Sequence, residues 1–178
     1  LMGHHFRFDH VDRWPELIAA LARLVRVAHA EGLRIYEHHS AVIVSQPRIE
    51  QPLPGGGTVR DLLEISVETG QPYYFKDYNG YWICPNNPRF RELYFGFLRD
   101  LFAEAPFDGL MCDDLEMLPG PIVCSCQYCR ERFLGRSGNE LPAFEDKGFW
   151  YNYNNPLWRQ WMRARQTSVG DFYLLVKA

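Results

Sequence analysis

No apolar run in this sequence is long enough to span a bilayer. The longest candidate, residues 17–30, is interrupted by Arg23, Arg26 and His29, so it reads as an amphipathic helix and not as a spanning or signal segment. An excess of positive charge is missing too. With 19 Lys and Arg against 22 Asp and Glu, a formal net charge of −3, there is no basic footprint for nucleic acid or for an anionic membrane surface. Nucleotide fingerprints are absent: neither a Lys-Ser/Thr pair nor a G-x-G-x-x-G spacing follows Gly55-Gly56-Gly57, which reads as a flexible turn. The 5 cysteines cluster instead of scattering in pairs. That favours a metal site over a disulfide framework, and with it a reducing, cytoplasmic setting.

What is present suffices for one globular domain: 178 residues, 47% of them hydrophobic and 15% aromatic. After a loop containing His4, His5 and His10, Pro15 and Glu16 suit a first helical turn, and Leu17, Leu21, Leu24, Val25 and Ala28 make one apolar stripe. Gly32 closes that helix. Residues 33–36 continue as a strand ending in Glu37-His38-His39-Ser40. Residues 41–83 form a long irregular insertion, expected to be a site wall, in which 58–67 is either a short helix or a strand. Its aromatic residues, Trp82 among them, could stack on a sugar face.

Asn87 as N-cap and Pro88 at the first helical position open the next helix, with Phe90, Leu93, Phe97 and Leu101 as its buried stripe. Pro106 stops it. Residues 109–113 then form an apolar strand that leads into Asp113, Asp114 and Glu116. A short helix over 127–134 closed by Gly135, an irregular insertion over 135–154, and a final helix from Asn155-Pro156 follow. The final helix faces one way through Leu157, Trp161, Ala164, Ser168, Phe172 and Leu175. Two αβ units with long loops only after strands predict an α/β fold, an incomplete (β/α)8 TIM barrel represented by about its third and fourth strands with flanking helices. An open doubly wound sheet ranks second. The last helical pattern still runs at Ala178, so the chain is expected to be part of a longer barrel, 1–178 forming one partial catalytic domain.

Cys124-Ser125-Cys126-Gln127-Tyr128-Cys129 supplies three thiolates from one loop-to-helix turn, as a structural zinc site requires. Cys84 and Cys112 compete for the fourth place. Cys84, in a loop before a helix, is preferred to Cys112 in mid-strand.

The acids suggest hydrolysis by paired carboxyls, one protonated and one ionised, about 5–5.5 Å apart for retention and farther for inversion. On an ideal strand Asp113 and Asp114 point to opposite sides. Alternation sets Leu110, Cys112 and Asp114 against Met111 and Asp113, and Asp114 is expected at the barrel mouth, ahead of Glu116 and then Asp113. Glu37, His38 and His39 are expected to bind sugar hydroxyls beside it.

These segments resemble the barrel domain of glycoside hydrolase family 42 β-galactosidases and related hypothetical glycosyl hydrolases. The resemblance rests on Cys84 just before Pro88-Arg89-Phe90-Arg91-Glu92, on a strand ending in acids, and on the C-x-C-x2-C followed by Arg132-Phe133. It implies a structural zinc held by Cys84, Cys124, Cys126 and Cys129, and it implies that 33–36 and 109–113 are the third and fourth barrel strands. The family's fourth strand ends in Asn-Glu, whereas here stands Asp113-Asp114-Leu115-Glu116. A second resemblance, to α-L-fucosidase-like barrels, implies a fourth-strand aspartate nucleophile and suits the pair His38-His39. The expected partner is an oligosaccharide or glycoside, with a homo-oligomeric parent left open. A non-catalytic carbohydrate-binding relative is the alternative to an enzyme, and a metal hydrolase using His38, His39 and Asp114 ranks last.

Overall fold

The protein is described by a computed structural model over residues 6–114, 117 and 124–177. Glu116, His4 and His5 lie outside the described residues. After a 3-10 segment, Arg7–Arg13, the first helix α1 runs Trp14–Ala30 with Pro15 in its first turn. Gly32 ends it at φ +71, where the Leu33 amide reaches back to the Ala28 carbonyl at 2.9 Å. A left-handed residue is needed there, and glycine adopts it without Cβ strain. The buried face of α1 is Trp14, Ile18, Ala22 and Val25, one position round from the expected stripe. Trp14 sets this rotation by packing its ring 4.8 Å from that of Phe97, which leaves Leu24 41% exposed.

Strand β1 is Tyr36–Ser40, not 33–36. Glu37, His38 and His39 therefore lie within the strand and not beyond its end. Leu33 is solvent-exposed, and at Ile35 the chain is pinned by its amide to Asp108 Oδ2 (2.8 Å) and by its carbonyl to the Asp108 amide (2.9 Å). That clamp starts a parallel ladder with the strand Gly109–Asp113, in register Tyr36↔Gly109 through Ser40↔Asp113. A parallel bridge between Phe6 and Ser40 extends the sheet on the other side of β1.

The 41–83 insertion is more regular than expected. It carries β2 (Ile43–Ser45), β3 (Tyr74–Phe75) and β4 (Gly80–Trp82) in an antiparallel sheet ordered β2-β4-β3. Residues 58–67 hold a 3-10 turn, Val59–Leu62, with a capping box between Thr58 and Asp61. A Cβ at Gly80 would stand 2.6 Å from the Val44 carbonyl oxygen. We expect Gly80→Ala to cost about 1–3 kcal/mol of overpacking strain, read as a lower urea midpoint at unchanged slope.

With β1–β4 placed, the strand Gly109–Asp113 is β5, and α2 (Pro88–Glu104) precedes it. As expected, Asn87 caps α2, its Oδ1 accepting from the amides of Arg89 (2.9 Å) and Phe90 (3.3 Å). Helix α3 is Gln127–Ser137 and runs through Gly135. It ends at Gly138, whose φ of +70 and bond to the Leu134 carbonyl make it the cap. Helix α4 is Pro156–Lys177, with Asn155 Oδ1 accepting from the Leu157 amide at 2.9 Å. Its buried face is Trp158, Trp161, Ala164, Arg165, Ser168 and Phe172; Leu175, expected inside, is exposed. One apolar core joins α1, α2 and both sheets. A second, Phe133, Leu141, Phe149, Trp150, Trp158, Trp161 and Ala164, packs the 135–154 segment onto α3 and α4. No helix among the described residues is long and apolar enough to cross a membrane.

Candidate metal centre and strand-end acids

The Sγ atoms of Cys84, Cys124, Cys126 and Cys129 all lie within 4.8 Å of one another, so the four cysteines form a cluster that could hold a metal ion. Cys84 Sγ is 3.4 Å from Cys129 Sγ and 3.6 Å from Cys126 Sγ. Tetrahedral zinc with Zn–S near 2.3 Å sets sulfurs about 3.8 Å apart, a spacing that lies between these short separations and the 4.8 Å span of the set, so the donor set fits with adjustments of up to about an ångström. Cys112 is not among them; its sulfur lies 3.3 Å from the Tyr94 hydroxyl.

Local structure explains the convergence. Strand β4 delivers Cys84, whose amide bonds the Leu62 carbonyl (2.8 Å). The Ser125 amide bonds the Ile65 carbonyl (2.8 Å), and Arg130 Nε clamps the Ser125 carbonyl (2.8 Å). Cys126 sits at the α3 N-cap and Cys129 one turn inside, where the helix N-terminus favours negative sulfur. Two donors aim at the sulfurs: the Ile65 amide at Cys124 (3.3 Å), and Asn86 Nδ2 at Cys129 (3.3 Å) while also reaching Ser168 Oγ of α4 (3.0 Å). Without metal, burial pushes the Cys84 and Cys124 thiols well up, while hydrogen bonds from Cys124, Cys129 and Cys84 pull Cys126 far down. Burial also pulls down Arg91 and Arg165, and the sulfur charges oppose it. These two cations lie within Coulombic reach of what would be a doubly negative tetrathiolate complex of a divalent ion. Asn86, Arg91, Arg165 and Ile65 were not legible as site residues; only Asn86, two after Cys84, carried a positional hint.

The strand-end groups divide between two faces. In the parallel register Glu37 and Leu110, and His39 and Cys112, are directly opposed partners. This face lies against α2: His39 Nε2 is 2.8 Å from the Tyr94 hydroxyl, and its ring is 5.9 Å from that of Phe97. The other face carries Tyr36 and Met111, each 57% exposed, with His38 and Asp113. His38 Nε2 lies 3.3 Å from Asp113 Oδ2. The expected grouping holds but faces the other way, for Leu110 and Cys112 turn to the helices and Met111 and Asp113 to the open face. Asp114 has left the strand at φ +52, its amide 3.1 Å from Asp113 Oδ1, so the strand rule does not reach it.

Of the residues expected to meet sugar, only His38 is on the open face. Glu37 and His39 are 3% and 0% exposed. They belong to a buried chain in which His39 Nδ1 donates to Glu37 Oε1 (3.1 Å), Arg7 pairs with the same carboxylate, and Tyr94 gives its proton to His39 Nε2. The Cys112 thiol then donates to the Tyr94 oxygen. Trp82 is 2% exposed, its ring packed 5.2 Å from Phe75 and 5.4 Å from Tyr78. Arg7 and Tyr94 carried no sequence signal, because a buried polar network has no spacing of its own.

This network has a pH consequence. Burial pulls His39 below its ordinary 6.5. For Glu37, burial acts to raise the carboxyl, but bonds from His39 and Arg7 prevail and hold it below 4.5. Both folded values are depressed, so the unfolded chain binds more protons and stability falls on acidification. We expect urea midpoints to decline below about pH 6.5 as the His39 contribution is lost, and again below about 4.5 as that of Glu37 goes. A His39→Gln variant should lose the first slope; an unchanged slope would place the titration elsewhere.

No protein-family model, curated protein or solved structure matches the chain.

Proposed function

We propose that the chain is a segment of a carbohydrate-active hydrolase, β-galactosidase-like, built on a parallel (β/α)8 barrel and stapled by structural zinc at Cys84, Cys124, Cys126 and Cys129. The observation that carries the hydrolase reading is the parallel β1–β5 register. It brings His38, paired with Met111, to 3.3 Å from Asp113 at the end of β5, on the face opposite α2 where Tyr36 and Met111 are exposed. In a closed barrel the helix-free face is the interior, and its carboxyl end is where such enzymes keep their chemistry. There the acid side chain would serve as proton donor or as charged partner, with His38 as its neighbour and the second carboxyl supplied by another strand. Zinc would hold the β4–α2 turn against α3 and take no part in bond breaking, since four thiolates leave no open position. The closeness of His38 to Asp113 also favours the fucosidase-like variant, in which an aspartate attacks.

The test is turnover. The protein carrying the complete barrel is expected to release the chromophore from an aryl β-galactoside or an aryl α-L-fucoside. These residues expressed alone, lacking the second carboxyl, should not. Failure of the complete protein across a broad panel of aryl glycosides would remove the hydrolase reading and leave a binding relative.

A further inference from the structure

We infer that Tyr151 and Tyr153 form a carbohydrate-stacking subsite on the 143–155 loop, separate from the strand-end acids; the choice of ligand rests on the carbohydrate reading above. These rings are 52% and 68% exposed. Each lies against the fully buried Trp158, with centroids 5.7 and 6.1 Å away. Scattered surface aromatics are ordinary, but here the loop beneath them is fixed. Asn152 Nδ2 and Asn155 Nδ2 both donate to the Gly148 carbonyl at 3.0 Å, Arg159 Nη1 holds the Tyr153 carbonyl at 2.8 Å, and Trp150 Nε1 bonds the Ala143 carbonyl at 2.7 Å.

Tyr151 is held at φ +62, a left-handed conformation that a bulky side chain rarely adopts. Strain of this kind persists where the surroundings over-determine it, and it concentrates at binding sites. The two tyrosine rings stay partly in solvent while Phe149 and Trp150 beside them fill the core.

Rigid exposed tyrosines offer flat apolar area with a hydroxyl at the edge, and little entropy is lost when they are covered. A pyranose presents the complement: a face of C–H bonds ringed by hydroxyls. Asn154 directly follows Tyr153 in sequence, exposed, with an amide suited to such hydroxyls. Charges around the loop are mixed, Glu145 and Asp146 against Lys147 and Arg159. A neutral saccharide therefore fits better than an anionic one.

The experiment is a titration of the protein with neutral β-linked gluco-, galacto- and manno-oligosaccharides. It is followed by Trp fluorescence and calorimetry, alongside aryl-glycoside turnover by the complete barrel. A saturable response is expected. Tyr151→Ala and Tyr153→Ala should each weaken it about tenfold or more, while Tyr153→Phe stays within about twofold. Metal content and near-ultraviolet dichroism should be unchanged, and Asp113→Asn should leave this binding intact. If a saccharide binds but neither alanine variant weakens it, or if turnover is found without loop binding, the subsite is wrong, and turnover alone decides whether the hydrolase reading stands. Binding lost in the tyrosine variants without any turnover keeps the subsite and removes the hydrolase. Neither binding nor turnover sinks both.

Discussion

Removing the metal from the tetracysteine cluster is expected to cost about 5 kcal/mol, which for a chain of this size lowers Tm by roughly 10–20 °C. The cluster ties together the 62–66 turn, the β4–α2 loop, α3, and through Asn86 and Ser168 also α4. Three of its four cysteines are buried. An empty cluster leaves thiols in a site that the arginines Arg91 and Arg165 flank with positive charge, and a tight chelator should expose it. Substitution makes the same point residue by residue. Cys84→Ala and Cys129→Ala should each abolish stoichiometric metal and lower Tm, whereas Cys112→Ser, at a sulfur outside the cluster and 3.3 Å from the Tyr94 hydroxyl, should keep the metal. Metal retained in Cys84→Ala and lost in Cys112→Ser would reverse the assignment.

On the proposed hydrolase reading, Asp113→Asn in the complete barrel is expected to lower kcat by about 10²–10⁴-fold with KM little changed, the loss of a proton-transfer or charge interaction made chiefly in the transition state. Sequence alternation alone points to Asp114. The structure moves the expectation, because Leu110 and Cys112 pack toward α2 and Asp113 shares the open face with His38. Asp113 is about half exposed, at 46% of its side chain, so its neutralisation should leave stability nearly unchanged. Loss of activity then reports chemistry and not unfolding. Asp114→Asn and Glu116→Gln are the companion variants. A dead Asp114→Asn beside an active Asp113→Asn would show that the turn after β5, and not the strand face, presents the acid.

Where the sequence could be read and where it could not follows from the range of the forces involved. Caps and ligands are local: Asn87 and Asn155 cap their helices, and C-x-C-x2-C brings its sulfurs together within one turn. Cys84 was reachable because a loop cysteine before a helix can lean across. Strand identity at 33–40 was harder, since Glu37 and His39 look like loop residues until Arg7, Tyr94 and Cys112 satisfy them. Those partners come from three distant segments, and no periodicity announces them. The buried face of α1 was missed by about one position, because Trp14 and Ile18 go inward where Leu24 had equal hydrophobic claim; on α4, Trp161, Ala164, Ser168 and Phe172 face inward as expected, while Trp158 and Arg165 join them and Leu175 turns out. Tertiary packing decided between equivalent stripes. The 41–83 insertion looked irregular because its strands are two or three residues long, too short for alternation to show.

Zinc K-edge absorption on the purified protein reads the centre of this picture directly. One zinc per chain, surrounded by four sulfurs at about 2.3 Å with no nitrogen or oxygen neighbour, is the expected spectrum. A first shell containing light atoms, or protein that stays folded with well under one metal ion per chain, would contradict the four-cysteine staple.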